Sequence, residues 1–68
     1  MMLKYYTKRY EVITQGTYPA NRKKLMLANL MSEMEASYDM PMHRNPDWDM
    51  QNAEISELYR KISDSKKL

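Results

Sequence analysis

The side chains that could hold a metal ion gather in one stretch of the chain. The single histidine, His43, lies among three carboxylates, those of Asp39, Asp47 and Asp49. Carboxylate oxygens and imidazole nitrogens are common ligands of divalent cations. An EF-hand calcium loop, however, needs glycine at its sixth position, and the sixth residue counted from Asp47 is Asn52. We therefore expect a solvated turn with acids that cap helices, and no bound metal.

Catalysis has few residues to use in this sequence. The chain contains no cysteine, which excludes a disulfide, a thiolate nucleophile and a cysteine-based zinc or iron–sulfur centre. Its single glycine, Gly16, provides neither the glycine-flanked serine of a nucleophile elbow nor a phosphate-binding loop. A chain of 68 residues also has little room for a pocket that encloses a substrate. The sequence predicts a non-catalytic protein without a cofactor.

Basic and aromatic side chains alternate near the start of the chain, where three tyrosines lie among Lys4, Lys8 and Arg9. Such a composition can neutralise phosphates and stack bases. The alternative is that the tyrosines belong to the core, because the chain has no phenylalanine. A nucleic-acid-binding accessory protein is thus the second functional hypothesis, with these candidate residues: Lys4, Lys8, Arg9, Arg22, Lys23 and Lys24.

Methionine is abundant, with eight copies, and two of them flank Pro41 in a predicted loop. Unbranched, polarizable methionine side chains can repack against partners of different shape. A tryptophan shortly after the loop adds the residue type most enriched at binding hot spots. The predicted partner-binding residues are Met40, Met42, Trp48 and Tyr59.

The segment from Pro19 to Tyr38 has the periodicity of an amphipathic helix. Apolar residues recur three and four positions apart, namely Leu27, Leu30, Met31, Met34 and Tyr38. Pro19 at the first helical position and Pro41 beyond the far end predict its limits.

A second helical pattern runs from Trp48 to Ile62 and includes Ile55, Leu58 and Tyr59. Asn45 as a cap and Pro46 as the first residue predict where it begins. Polar residues at 51 and 52 interrupt the apolar stripe. Two interpretations stay open, a single helix from Pro46 or a turn around Trp48 followed by a helix from Ala53.

The first fifteen residues are ambiguous. Leu3, Tyr6, Tyr10 and Ile13 would share one side of a helix, but tyrosine, threonine and β-branched residues also favour strands. We favour a short helix, which Gly16 would end in a conformation with positive φ.

Together these patterns predict one all-α domain over residues 1–68, an antiparallel helical hairpin with an amino-terminal third helix or arm. Two amphipathic helices leave much of each apolar stripe uncovered, so either the third element or a second copy must cover them. We expect a homodimer at micromolar concentration.

Charge is segregated along the chain. Residues 1–24 contain six basic residues and one acid, residues 25–59 seven acids and one arginine, and residues 60–68 four basic residues and one acid. In a hairpin, Arg22, Lys23 and Lys24 would lie near the basic end of the last helix. We expect the tyrosine-rich start to lie at this same cationic end.

The favoured function is a small non-catalytic protein–protein interaction module, which we expect to be a bacterial or phage regulatory or adaptor protein. It would act by occluding or bridging its partner. No apolar run reaches the length of about 18 residues that a membrane span needs, so a cytoplasmic protein is expected.

Overall fold

The computed structural model describes residues 2–43 and 45–66, and all of their regular secondary structure is helical. The helices are α1 (Met2–Gln15), α2 (Ala20–Ser37), α3 (Pro46–Gln51) and α4 (Ala53–Lys66). The predicted all-α fold class is confirmed. Two long helices, α2 and α4, form the predicted hairpin, and α1 is its third helix.

Hydrogen bonds between side chains show how the three long helices run relative to one another. Tyr6, near the start of α1, pairs its hydroxyl with that of Ser37 at the end of α2 at 2.6 Å, so these helices are antiparallel. The hydroxyl of Tyr10 pairs with that of Ser65, near the end of α4, at 2.9 Å. The chain therefore runs up, down and up, with α1 parallel to α4.

The core lies where the three long helices meet. Its buried members are Tyr6, Ile13, Leu27, Leu30, Met34, Leu58 and Ile62. Five of these come from the two apolar stripes that the sequence predicts for the hairpin, and α1 contributes the other two. Since α1 covers the stripes, the core closes within one chain.

The first segment is a helix, as favoured, and not a strand. Tyr6 and Ile13, seven residues apart, both face the core. The threonines that suggested a strand are accommodated because their hydroxyls donate to carbonyls one turn back, Thr7 to Leu3 at 2.8 Å and Thr14 to Tyr10 at 3.0 Å.

Two details of the α1–α2 connection differ from the prediction. Pro19 is the residue before the first helical position, where its carbonyl accepts a hydrogen bond from the amide of Lys23 at 2.9 Å. Gly16 does not have positive φ, so that expectation is wrong. Glycine is required there for another reason: a Cβ would lie 2.5 Å from Cε2 of Tyr18 and 2.9 Å from the carbonyl oxygen of Val12.

Gly16→Ala should therefore destabilise the protein by about 1–3 kcal/mol, the usual range for forcing an extra methyl group into a filled space. Urea unfolding followed by circular dichroism measures the change. In the background of Tyr18→Ala, which removes the ring, the same substitution should cost less. An equal cost in both backgrounds would contradict the proposed packing of the ring on Gly16.

The second predicted helix is divided. Asn45 caps α3, Pro46 is its first residue, and the helix ends after Gln51. Asn52 donates from its side-chain amide to the carbonyl of Trp48 at 2.9 Å and separates α3 from α4, which begins at Ala53. The predicted helix from Ala53 is confirmed, but Trp48 lies in a short helix that begins at Pro46 and not in a turn.

Candidate partner-binding groove

A groove of about 630 Å³ opens between the end of α2, the connecting loop, α3 and α4. All four predicted partner-binding residues, Met40, Met42, Trp48 and Tyr59, line it. We call it the loop groove. The structure thus brings together residues that the sequence spreads over three elements.

The end of α2 places Met40 on the wall of the loop groove. Asp39 adopts a left-handed conformation, with φ of 52°, and the amide of Met40 donates to the carbonyl of Glu35 at 3.0 Å. This is the Schellman arrangement, in which a left-handed residue reverses the chain after a helix. Met40 packs against the core from this position, and Pro41 directs the chain away from α2.

Met42 and Trp48 stand apart from the core. Met42 is 97% exposed, and the half-buried Trp48 is not among the side chains that pack on the core within the described part of the chain. Neither residue is needed to fill the interior. An exposed methionine and a half-buried tryptophan that line one concave surface outside the core are typical of a contact surface for another molecule.

Three polar contacts stabilise α3, and one of them joins this helix to α4. The side chain of Asn45 accepts a hydrogen bond from the amide of Trp48 at 3.1 Å. Ser56 of α4 donates to Asp49 of α3 at 2.9 Å. The third contact is the bond from Asn52 to the carbonyl of Trp48. A six-residue helix has little intrinsic stability, so these contacts stabilise the backbone from which Trp48 extends.

Asn45→Ala should loosen α3 without unfolding the bundle, because loss of an N-cap costs about 0.5–2 kcal/mol and α3 contributes no buried residue. Amide hydrogen exchange should accelerate in residues 47–51 and stay unchanged in α2. Asn45→Asp, which preserves the cap, is the control. Faster exchange throughout the chain after Asn45→Ala would show that α3 supports the whole fold.

Tyr59 forms a wall of the loop groove as well as part of the support of the core. The residue is half-buried and packs on the core, and its hydroxyl donates to the carboxylate of Glu35 on α2. Burial, and then the bond to Glu35 and the negative charge of that carboxylate, raise the pKa of Tyr59 to about 12. The phenol therefore stays neutral at ordinary pH, and its hydroxyl group donates a hydrogen bond to Glu35.

The acidic loop residues do not converge on a cation. Within residues 2–43 and 45–66, no group of three histidine, aspartate or glutamate side chains is arranged to hold a metal ion. His43 and Asp49 both line the loop groove, but Asp49 already accepts a bond from Ser56. Asp47 and Asp49 lie in the first turn of α3, where negative charge favours the helix dipole.

The candidate nucleic-acid residues separate into two groups, which corrects the expected cationic end. Because α1 is antiparallel to α2, Lys4 and Lys8 lie toward the end of α2, away from its basic start. In the first group, Arg9 pairs with Glu33 at 2.5 Å, which raises the pKa of Arg9 and lowers that of Glu33.

The second group, Arg22, Lys23 and Lys24, occupies the first turns of α2. The ammonium group of Lys23 donates a hydrogen bond to the backbone carbonyl of Thr14, near the end of α1, with an N–O distance of 3.3 Å. Tyr6 is buried and Tyr10 is half-buried, so these rings belong to the interior, whereas Tyr5 is exposed and lies 5.5 Å from the guanidinium of Arg9.

Sequence reasoning missed several polar residues of the loop groove. Ser56, Arg60 and Ser63 line it from α4 at helical spacing, so a polar stripe beside the apolar one could have revealed them. Glu35 lies 24 residues before Tyr59, and its contact with that residue depends on how α2 packs against α4. The spacing of residues within one helix does not predict which residues of another helix they contact.

The fold and its groove define a small all-α bundle with an open surface at one end. No helix in the described ranges is long and apolar enough to cross a bilayer. Comparisons with protein-family models, with curated proteins and with solved structures found no match for this chain.

Proposed function

We propose that this chain is a non-catalytic protein–protein interaction module that holds its partner in the loop groove. The observation that carries the proposal is the position of Met42 and Trp48, which lie outside the core yet line one concave surface. Leaving large apolar side chains in water costs free energy that burial under a partner would recover, about 25 cal/mol per Å².

The chemistry of the groove supports binding more than catalysis. Its two carboxylates, Glu35 and Asp49, accept hydrogen bonds from Tyr59 and Ser56. His43 is exposed, and none of the side-chain hydrogen bonds found among the described residues orients its ring. A general base needs such an orienting contact and a defined reach to its substrate. We propose a regulatory or adaptor role in the cytoplasm, exerted by covering or bridging a partner surface.

The rigid and mobile parts of the groove suit different tasks in binding. The ring of Tyr59 is held by its hydrogen bond to Glu35, and the backbone at Trp48 is held by the contacts of α3, so this wall is partly preorganised. Met42, which is almost fully exposed, supplies an adaptable side chain at the rim. A preorganised wall lowers the entropic cost of association.

The nucleic-acid alternative stays a prediction, and it has less support. Its basic residues occupy two groups on α1 and α2, and two of them already contact Glu33 and Thr14. Two of the three tyrosines proposed to stack on bases face the interior.

Affinity capture from an extract of cells that express the protein separates the two functions. Parallel arms, one treated with nuclease, should both yield the same protein partner. Met42→Asp places a charge in the loop groove and should abolish capture. Leu25→Asp is the matched control, because Leu25 is 62% exposed on α2 and does not line this groove. Capture that nuclease abolishes, or that Leu25→Asp reduces as much as Met42→Asp does, would contradict the proposal.

A further inference from the structure

The loop groove lies in the acidic part of the chain. Residues 25–59 contain seven carboxylates and a single arginine. Two of these carboxylates, Glu35 and Asp49, line the groove, and Asp39 and Asp47 belong to the same loop and the same short helix that form its walls. Arg60 is the only lysine or arginine among the described residues that line it. A partner surface that carries positive charge is therefore complementary to this end of the molecule.

The apolar residues of the groove favour a helical partner. Methionine side chains from the loop, an indole and a tyrosine ring together offer an adaptable apolar surface. Amphipathic helices dock in such grooves through apolar residues spaced three and four apart, and methionine allows the groove to fit different sequences. A flat sheet edge is not available for strand addition, because the described elements are all helices.

We infer that the occupant of the loop groove is a basic amphipathic helix of a partner protein. Its apolar face lies against Met40, Met42 and Trp48, and its lysine and arginine side chains point toward the carboxylates around the groove. This inference rests on the proposed function and adds the chemical class of the partner.

A second copy of this chain is the competing occupant. The basic start of α2, with exposed Leu25 beside it, could meet the acidic groove of another molecule. Such a contact joins different surfaces of the two copies and would extend into open chains, unlike a closed dimer. Concentration-dependent growth in sedimentation is its signature.

Trp48 is the single tryptophan of the chain and reports binding directly through its fluorescence. The probes are three synthetic peptides: an amphipathic helix with leucines on one face and lysine and arginine elsewhere, the same peptide with glutamate in place of the basic residues, and a scrambled basic peptide. The first should shift the emission of Trp48 and bind at least about tenfold more tightly than the other two, since like charges repel and a broken stripe cannot dock. Higher salt should weaken it.

Removing two carboxylates near the groove tests whether they attract the basic peptide. Asp39→Asn combined with Asp47→Asn should weaken the basic peptide several-fold, since asparagine tolerates the left-handed conformation at position 39. Glu11→Gln, on α1, is the matched control and should change nothing. Equal binding of the basic and acidic peptides, or self-association that excludes the basic peptide, would overturn the inference.

The peptide experiment tests the chemical class of the partner, and the capture experiment tests the proposed function. If no peptide binds but capture from extract still depends on Met42, the partner is not a basic helix and the proposed function is retained. If capture is also indifferent to Met42, both proposals are wrong.

Discussion

Replacing Trp48 with alanine should reduce affinity for the captured partner by about 30-fold or more while the three long helices stay folded. Truncation of a hot-spot tryptophan typically costs at least about 2 kcal/mol of binding free energy, and each 1.4 kcal/mol corresponds to a factor of about ten. The fold should persist because Trp48 lies outside the core cluster. Surface plasmon resonance with the purified partner measures the first effect, and circular dichroism the second.

Tyr5→Ala is the control for this experiment. Tyr5 is an aromatic residue too, 52% accessible, but it belongs to α1 and does not line the loop groove. Its removal should leave affinity unchanged. If Trp48→Ala unfolds the protein, the tryptophan serves the core, and the account of the groove is wrong.

Leu30→Ala should destabilise the protein by about 2–5 kcal/mol, the range measured for truncating a buried leucine. Leu30 is fully buried where α2 meets both other long helices. A stability of roughly 0.05–0.15 kcal/mol per residue gives about 3–10 kcal/mol for a chain of this size. The substitution therefore removes a large part of the stability, and the urea midpoint should fall steeply.

The same substitution at Leu25 provides a matched comparison on the same helix. Leu25 is 62% exposed, so Leu25→Ala should change the free energy of unfolding by less than about 0.5 kcal/mol. Equal losses at positions 25 and 30 would mean that the register of α2 is wrong. A loss confined to position 30 supports the packing of one chain without a second copy.

The long helices were predictable because their signals are local. Leu27, Leu30 and Met34 recur at helical spacing and are all buried. The cap at Asn45 and the end of α2 before Pro41 follow from side-chain chemistry within a few residues. The division at Asn52 was left open, because an interrupted apolar stripe does not show whether the helix ends there. The bond from the side chain of Asn52 to the carbonyl of Trp48 becomes visible only in three dimensions.

The charge layout could not be predicted in the same way. It depends on the direction of α1, and that direction is set by contacts between residues far apart in the chain, such as Tyr6 with Ser37 and Tyr10 with Ser65. The spacing of Tyr6 and Tyr10 predicts that they share one side of a helix, but it does not show which distant residues their hydroxyls contact. For this reason the basic residues were expected at one end and are divided between two.

The groove was partly predictable. Met40, Met42 and Trp48 stood out because apolar residues in a proline-containing loop have no evident place in a core. Tyr59 was grouped with them, and it does line the groove, but its bond to Glu35 also makes it a structural support. The packing of the helices, and not the residue type, places Tyr59 both in the groove and against the core.

Site-specific photocrosslinking identifies which surface of the protein contacts a partner in the cell. A photoreactive amino acid replaces Met42 in one variant and Leu25 in another, and each is irradiated in cells that express the protein. We expect one discrete protein adduct from position 42 and none from position 25. An adduct from position 25 alone, or a nucleic-acid adduct from either position, would contradict this expectation.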